Sequence, residues 1–108
     1  MELTGKCKID FEKWLQEQPL APYPSMVWDI PLIVRNSFLL SFFDAANIII
    51  EVTSAYDSML KYNRGFDFYV LEEYTGKDYI NEVDCFETRE KALEEAIITA
   101  NKIYNERN

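Results

Sequence analysis

The chain has 108 residues, with 11 Lys and Arg against 19 Asp and Glu, for a formal charge of −8. That length suits one domain. An apolar share of 48%, with 15% aromatic residues, is too hydrophobic for a disordered acidic tail. The charge argues against direct binding of nucleic acid or of an anionic membrane, both of which need local positive potential. With no His in the chain, His-based acid–base catalysis, His-activated nucleophiles and His metal ligands drop out.

Residues 4–17 read as an amphipathic helix: Cys7, Phe11 and Trp14 fall on one face with Leu15 beside them, and Lys6, Lys8, Glu12, Lys13 and Glu17 point elsewhere. Pro19 ends it, and Pro22 and Pro24 keep the next stretch irregular. Residues 19–27 are too apolar for a loose linker, so Leu20, Tyr23, Met26 and Trp28 are expected to pack across a surface. Asp29 then looks like the N-cap of a second helix over 30–43, with Pro31 in its first turn. That helix is apolar around most of its circumference, and its polar strip is Ser37, Ser41 and Asp44, widened by Asn36. Such a helix is either buried within the monomer or pressed against a second copy as a homodimer contact. Its apolar run is too short to span a bilayer.

From Asn47 the period changes to two. Ile48, Ile50 and Val52 share one face of a strand, and Ile49, Glu51 and Thr53 the other. A second strand over 66–74 sets Phe66, Phe68 and Val70 against Asp67, Tyr69, Leu71 and Glu73. A long connection, 55–65, links the two and ends in the turn-like Asn63-Arg64-Gly65. Residues 75–78 form a tight turn into a third strand, 79–86. Thr88 is a good N-cap for a last helix over 89–105, whose apolar stripe is Leu93, Ala96, Ile97, Ala100 and Tyr104. The expected fold class is α+β. It is a two-layer domain of order α-α-β-β-β-α, with a three-stranded antiparallel meander packed against helices on one face.

The acidity is local. Residues 66–87 carry Lys77 against Asp67, Glu72, Glu73, Asp78, Glu82, Asp84 and Glu87, a net −6, whereas 31–65 and 88–108 are each neutral. With Phe66, Phe68 and Val70 facing the helices, Asp67, Tyr69 and Glu73 face water, joined by Ile80, Glu82 and Asp84 and by Glu51. This acidic, Tyr-bearing open face is either a solvated surface that keeps the protein soluble or a docking face for a basic protein partner, even an imitation of nucleic acid. A third use is a divalent-cation site among Glu51, Asp67, Glu82 and Asp84, for which no loop with calcium-binding spacing speaks. The 55–65 connection either folds back over a sheet edge or forms a second candidate contact with another chain, through Met59, Leu60, Tyr62 and Arg64.

Nothing points to an enzyme or a cofactor: no nucleophile accompanies the carboxylates, and the chain has only 3 Gly and no phosphate-cradling loop. Cys7 lies on the apolar stripe of the first helix and suits a core position. Two cysteines, Cys7 and Cys85, cannot complete a four-thiolate zinc site. Residues 1–6 lack the apolar core of a signal peptide, so the expected setting is a reducing cytoplasm with two thiols, a Cys7–Cys85 disulfide being the alternative.

Two resemblances bear on these expectations. The order helix, meander, helix is similar to the double-stranded-RNA-binding domain, with Thr88-Arg89-Glu90-Lys91-Ala92 at that family's basic helix start. Only Arg89 and Lys91 are basic there, Glu94 and Glu95 follow, and an extra apolar helix precedes the sheet, so phosphate binding does not carry over. The segments Thr4-Gly5-Lys6-Cys7-Lys8, Phe11-Glu12-Lys13-Trp14, Phe42-Phe43-Asp44, Glu87-Thr88-Arg89-Glu90-Lys91-Ala92 and Ala100-Asn101-Lys102-Ile103-Tyr104-Asn105-Glu106 resemble small phage and prophage proteins of uncharacterised activity. That resemblance implies a cytoplasmic phage-type accessory protein. The expected function is binding of a protein partner, with a self-associating homodimer as the alternative.

Overall fold

In a computed structural model, described for residues 3–19, 21–80 and 85–107, the first helix, α1 (Gly5–Gln16), buries Cys7, Phe11 and Leu15. The chain then turns through a 3₁₀ helix, Pro24–Asp29, that buries only Val27. Trp28 packs on Phe11, ring centroids 5.9 Å apart, but Tyr23 and Met26 are exposed, against expectation; Leu20 lies outside the described residues. Asp29 is not an N-cap. Helix α2 (Leu32–Ala45) starts after Pro31, which sits extended at φ −51 and ψ 139. The ring of Pro31 also holds Ile30 extended at ψ 163, because a residue before proline is kept out of the helical region. The helix therefore begins two residues later than Asp29 would set it. Asn36, assigned to the polar strip, is buried with Leu39, Phe42 and Phe43, whereas Ser37, Ser41 and Asp44 are exposed.

Strands β1 (Ile48–Asp57), β2 (Tyr62–Glu72) and β3 (Lys77–Ile80) form one antiparallel sheet in the order β1-β2-β3. The expected long connection does not exist. Pairing continues past a bulge between Ser54 and Tyr56 to Asp57 and Tyr62, so residues 58–61 are the whole turn, with Lys61 at φ 56. The reason is physical: residues 53–57 and 62–65 keep their ladder while leaving the helices behind, so the apolar alternation that marks a half-buried strand stops before the strand does. This distal hairpin stretches the molecule to 47 × 32 × 20 Å, with a radius of gyration of 14.8 Å against about 13 Å for a compact chain of this length. The second turn also falls earlier than expected, at residues 73–76, and the described part of the third strand starts at Lys77. Residues 81–84 lie outside the described residues, and Phe86 bridges back to Phe66.

Helix α3 (Arg89–Glu106) is capped as expected: the Thr88 Oγ1 accepts the Lys91 N–H at 3.1 Å. It packs on β1 and β2, α2 packs on β1, and α1 lies chiefly against α3 and α2. Phe42 of α2 joins the three helices, with ring centroids 5.4 Å from Phe11 and 5.5 Å from Tyr104. Below them, Ile48 and Val70 complete a single hydrophobic core. Each such aromatic or branched side chain contributes about 2 kcal/mol when fully buried.

The start of α1 is held from across the molecule. Thr4 makes no side-chain cap of its own. Instead, Asn105 Oδ1 accepts the Cys7 N–H at 2.8 Å, its amide donates to the Thr4 carbonyl, and Asn101 receives the Thr4 N–H at 3.0 Å. Gly5, at φ +61, allows this closeness, since a Cβ there would stand 3.1 Å from the Asn105 side chain. Nearby, the Tyr104 hydroxyl donates to Asp10 at 2.6 Å, and Lys6 pairs with the same carboxylate at 3.0 Å. These two bonds hold the Asp10 carboxyl below its ordinary value, and burial, with the Asp10 bond second, pushes the Tyr104 hydroxyl up to about 12.

At the same end of α3, its C-cap Arg107 closes the domain. Its guanidinium donates to Glu72 Oε2 through both Nε and Nη2, and through Nη1 to the Ala46 carbonyl at 2.6 Å. Glu72 is buried, and its second oxygen accepts the Tyr74 N–H at 2.8 Å. The Tyr74 ring lies 4.8 Å from the guanidinium. Removing one partner of a buried pair strands the other charge, so Arg107→Ala is expected to cost about 3 kcal/mol in urea unfolding. Adding Glu72→Leu to that variant should restore part of the loss.

Cys7 and Cys85 are both free thiols, at opposite ends of α3. Burial, with the Asp10 charge a lesser cause, pushes Cys7 from 9.0 up to about 12. A raised folded value means the contribution is complete below pH 9 and is lost as pH rises above it, at about 1.4 kcal/mol per pH unit at most. Urea midpoints should therefore fall between pH 9 and 11, and Cys7→Ala should flatten that fall.

Candidate interaction surfaces

The register sets which side chains share the uncovered sheet face. Glu51 lies opposite Tyr69 and Tyr69 opposite Ile80; Ile49 pairs with Leu71 and Leu71 with Asp78; Thr53 pairs with Asp67. The helices lie on the other face, over Ile48, Ile50, Phe68, Val70 and Tyr79. Glu51, Asp67 and Tyr69 are thus brought onto one surface as the alternation predicts. Ile80 joins them, 62% exposed. Glu73 does not: it is exposed in the turn beyond the end of β2, where its N–H bonds to the Asn47 carbonyl at 3.0 Å. Glu82 and Asp84 lie outside the described residues.

Asp78, assigned to a turn by sequence, stands on this face instead, because the hairpin closes earlier than Gly76 and its neighbours suggest. Glu72, counted among the acidic residues of the strand, points the other way into the Arg107 clasp. The parity that sends Phe68 and Val70 inward sends Glu72 with them; that signal was legible. The described face is therefore a mixed surface, with Ile49, Tyr69, Leu71 and Ile80 interleaved with Glu51, Asp67 and Asp78. Among the described residues, no group of three or more Cys, Asp or Glu could hold a metal ion.

At the distal edge of the face, Cys85 lies against Asp67. Desolvation, then its hydrogen bond to the Asp67 carboxylate, raises the thiol above its ordinary value. Gly65 makes the close approach of this segment possible: it sits at φ +130, and a Cβ there would stand 2.5 Å from the Phe86 carbonyl oxygen and 2.9 Å from the Cys85 Cβ. The two backbone bonds between Phe66 and Phe86, at 2.8 and 2.9 Å, need that space.

The second candidate contact has a different form from the one expected. Met59 and Leu60 occupy the hairpin turn, and Tyr62 and Arg64 stand on β2. Met59 is 89% exposed and Leu60 and Tyr62 are exposed as well. Sequence reasoning missed a third surface, a largely apolar groove of ≈ 360 Å³ between the starts of α2 and α3, lined by Leu32, Ile33, Leu40 and Leu93 and edged by Arg89 and Glu90. The signal for it was the unbroken apolar start of α2, where Ile33 is 79% exposed. No helix among the described residues is long and apolar enough to cross a membrane.

Comparison with protein-family models, with curated proteins and with solved structures returns no match for this chain. Gly65→Ala is expected to lower stability by about 2 kcal/mol or more, read as a thermal midpoint, because the added methyl displaces the Phe86 carbonyl from Phe66.

Proposed function

We propose that this protein is a non-enzymatic binding module whose open sheet face takes a basic segment of a protein partner, in a reducing cytoplasm and in a phage-type accessory role. The observation that supports it is the composition of that face. Carboxylates at Glu51, Asp67 and Asp78 surround the apolar and aromatic surface of Ile49, Tyr69, Leu71 and Ile80. Apolar area supplies affinity, and the acidic surround selects a cationic partner and speeds its approach. The two free thiols suit a reducing compartment.

A second reading is self-association, favoured by the exposed Leu32, Ile33 and Val34 at the start of α2.

The test compares capture of proteins from the native host by the wild type and by Glu51→Lys with Asp67→Lys. Glu51 is exposed and Asp67 is half-buried beside Cys85, so circular dichroism checks that the doubly reversed variant folds. Basic proteins retained by the wild type should be released by added salt and lost on reversal. A partner held equally by both proteins, whatever the salt, would place the contact elsewhere.

A further inference from the structure

We infer that the outer edge of β1 pairs with the same edge of a second copy, joining two three-stranded sheets into one. This rests on the self-association reading and names its surface. Strand β1 is an edge strand in the order β1-β2-β3. The Glu73 N–H bond to the Asn47 carbonyl, one step beyond the Ile48–Glu72 pair, sets the parity of the ladder. Residues 49, 51 and 53 turn their backbone groups toward β2, so Ile50, Val52 and Ser54 turn theirs to the open side. Among the described residues, no backbone bond outside the sheet reaches those three positions.

Edge strands are ordinarily blunted by Pro, by Lys or by a covering element. From Ile48 to Asp57 there is neither Pro nor Lys, and the run Ile48-Ile49-Ile50-Glu51-Val52-Thr53 is almost wholly β-branched. The regular open stretch is bounded on one side by Ile48, which is fully buried, and on the other by the bulge after Ser54. It is centred on Val52.

A second copy fits this stretch better than an unrelated strand does. A two-fold axis at Val52 sets Val52 opposite its own counterpart and Ile50 opposite Ser54 of the other copy, each pair exchanging backbone bonds. On the open face it sets Glu51 opposite Thr53, so the two Glu51 carboxylates, the only charges on the stretch, do not oppose one another. The same axis puts both α2 helices, which pack on β1, on one side of the joined sheet. Both acidic faces then form a single surface on the other.

The test is the mass in solution across a concentration series, by sedimentation or light scattering. The wild type should approach twice 12.7 kDa. Thr53→Glu places like charges opposite Glu51 at two symmetric points and should raise the dimer dissociation constant about tenfold; Thr53→Lys places opposite charges there and should lower it. Ser54→Pro removes an outward N–H without touching the ladder to β2, and should weaken the dimer at least tenfold. Thr53 and Ser54 are exposed, and circular dichroism checks that each variant folds. A wild type that stays at 12.7 kDa throughout overturns both the edge pairing and self-association. A dimer indifferent to all three substitutions but dissociated by Ile33→Asp overturns the edge pairing alone and leaves self-association through α2.

Discussion

The clasp of Arg107 on Glu72 is the interaction on which the arrangement of the layers depends. One guanidinium reaches the end of β2, the carbonyl that follows α2, and the ring of Tyr74 in the turn toward β3. It thereby ties helix α3 to the sheet and to the α2–β1 corner at once. A carboxylate buried among apolar groups would be costly alone; here the guanidinium and the Tyr74 N–H take its oxygens. Arg also suits the place better than Lys, because three contacts in different directions need a planar fork of donors.

From that closed end the domain loosens toward the hairpin tip. Near Ile48 and Val70 the sheet lies under α2 and α3, with α1 above them; near Phe66 it lies under the start of α3, with Arg89 above the Phe66 ring at 4.8 Å; the turn residues 58–61 are exposed. The charge follows a similar gradient. Carboxylates crowd the open face, whereas the tip carries Lys61 and Arg64. The open stretch of the β1 edge around Val52 and the groove between the starts of α2 and α3 both lie away from the clasp.

Much of this fold was legible. Cys7, Phe11 and Leu15 mark α1, Thr88 marks the start of α3, and the alternation through Phe68 and Val70 sets the sheet faces, so Glu51, Asp67 and Tyr69 were placed together correctly. What failed did so for physical reasons. Asp29 has the chemistry of a cap, but Pro31 two residues on holds the backbone extended and delays the helix. Residues 55–65 looked like a loop because their alternation of apolar and polar residues fades, yet a ladder needs only backbone groups once a neighbouring strand is fixed. Glu73 was carried onto the open face by parity that the turn interrupts. Arg107 could be read as a favourable charge at a helix end, but its reach to Glu72 crosses 35 positions of sequence and leaves no local trace.

The asparagine clamp on α1 has a bearing on how the chain folds. The donors that an isolated helix leaves open at its start are met here by Asn101 and Asn105, at separations of 97 and 98 residues. Without those partners α1 is a short segment that opens on a glycine and has no cap of its own, and segments of that length hold little helix in water. Its order is thus borrowed from α3, so the first helix in the sequence is held by the last, across nearly the whole length of the chain.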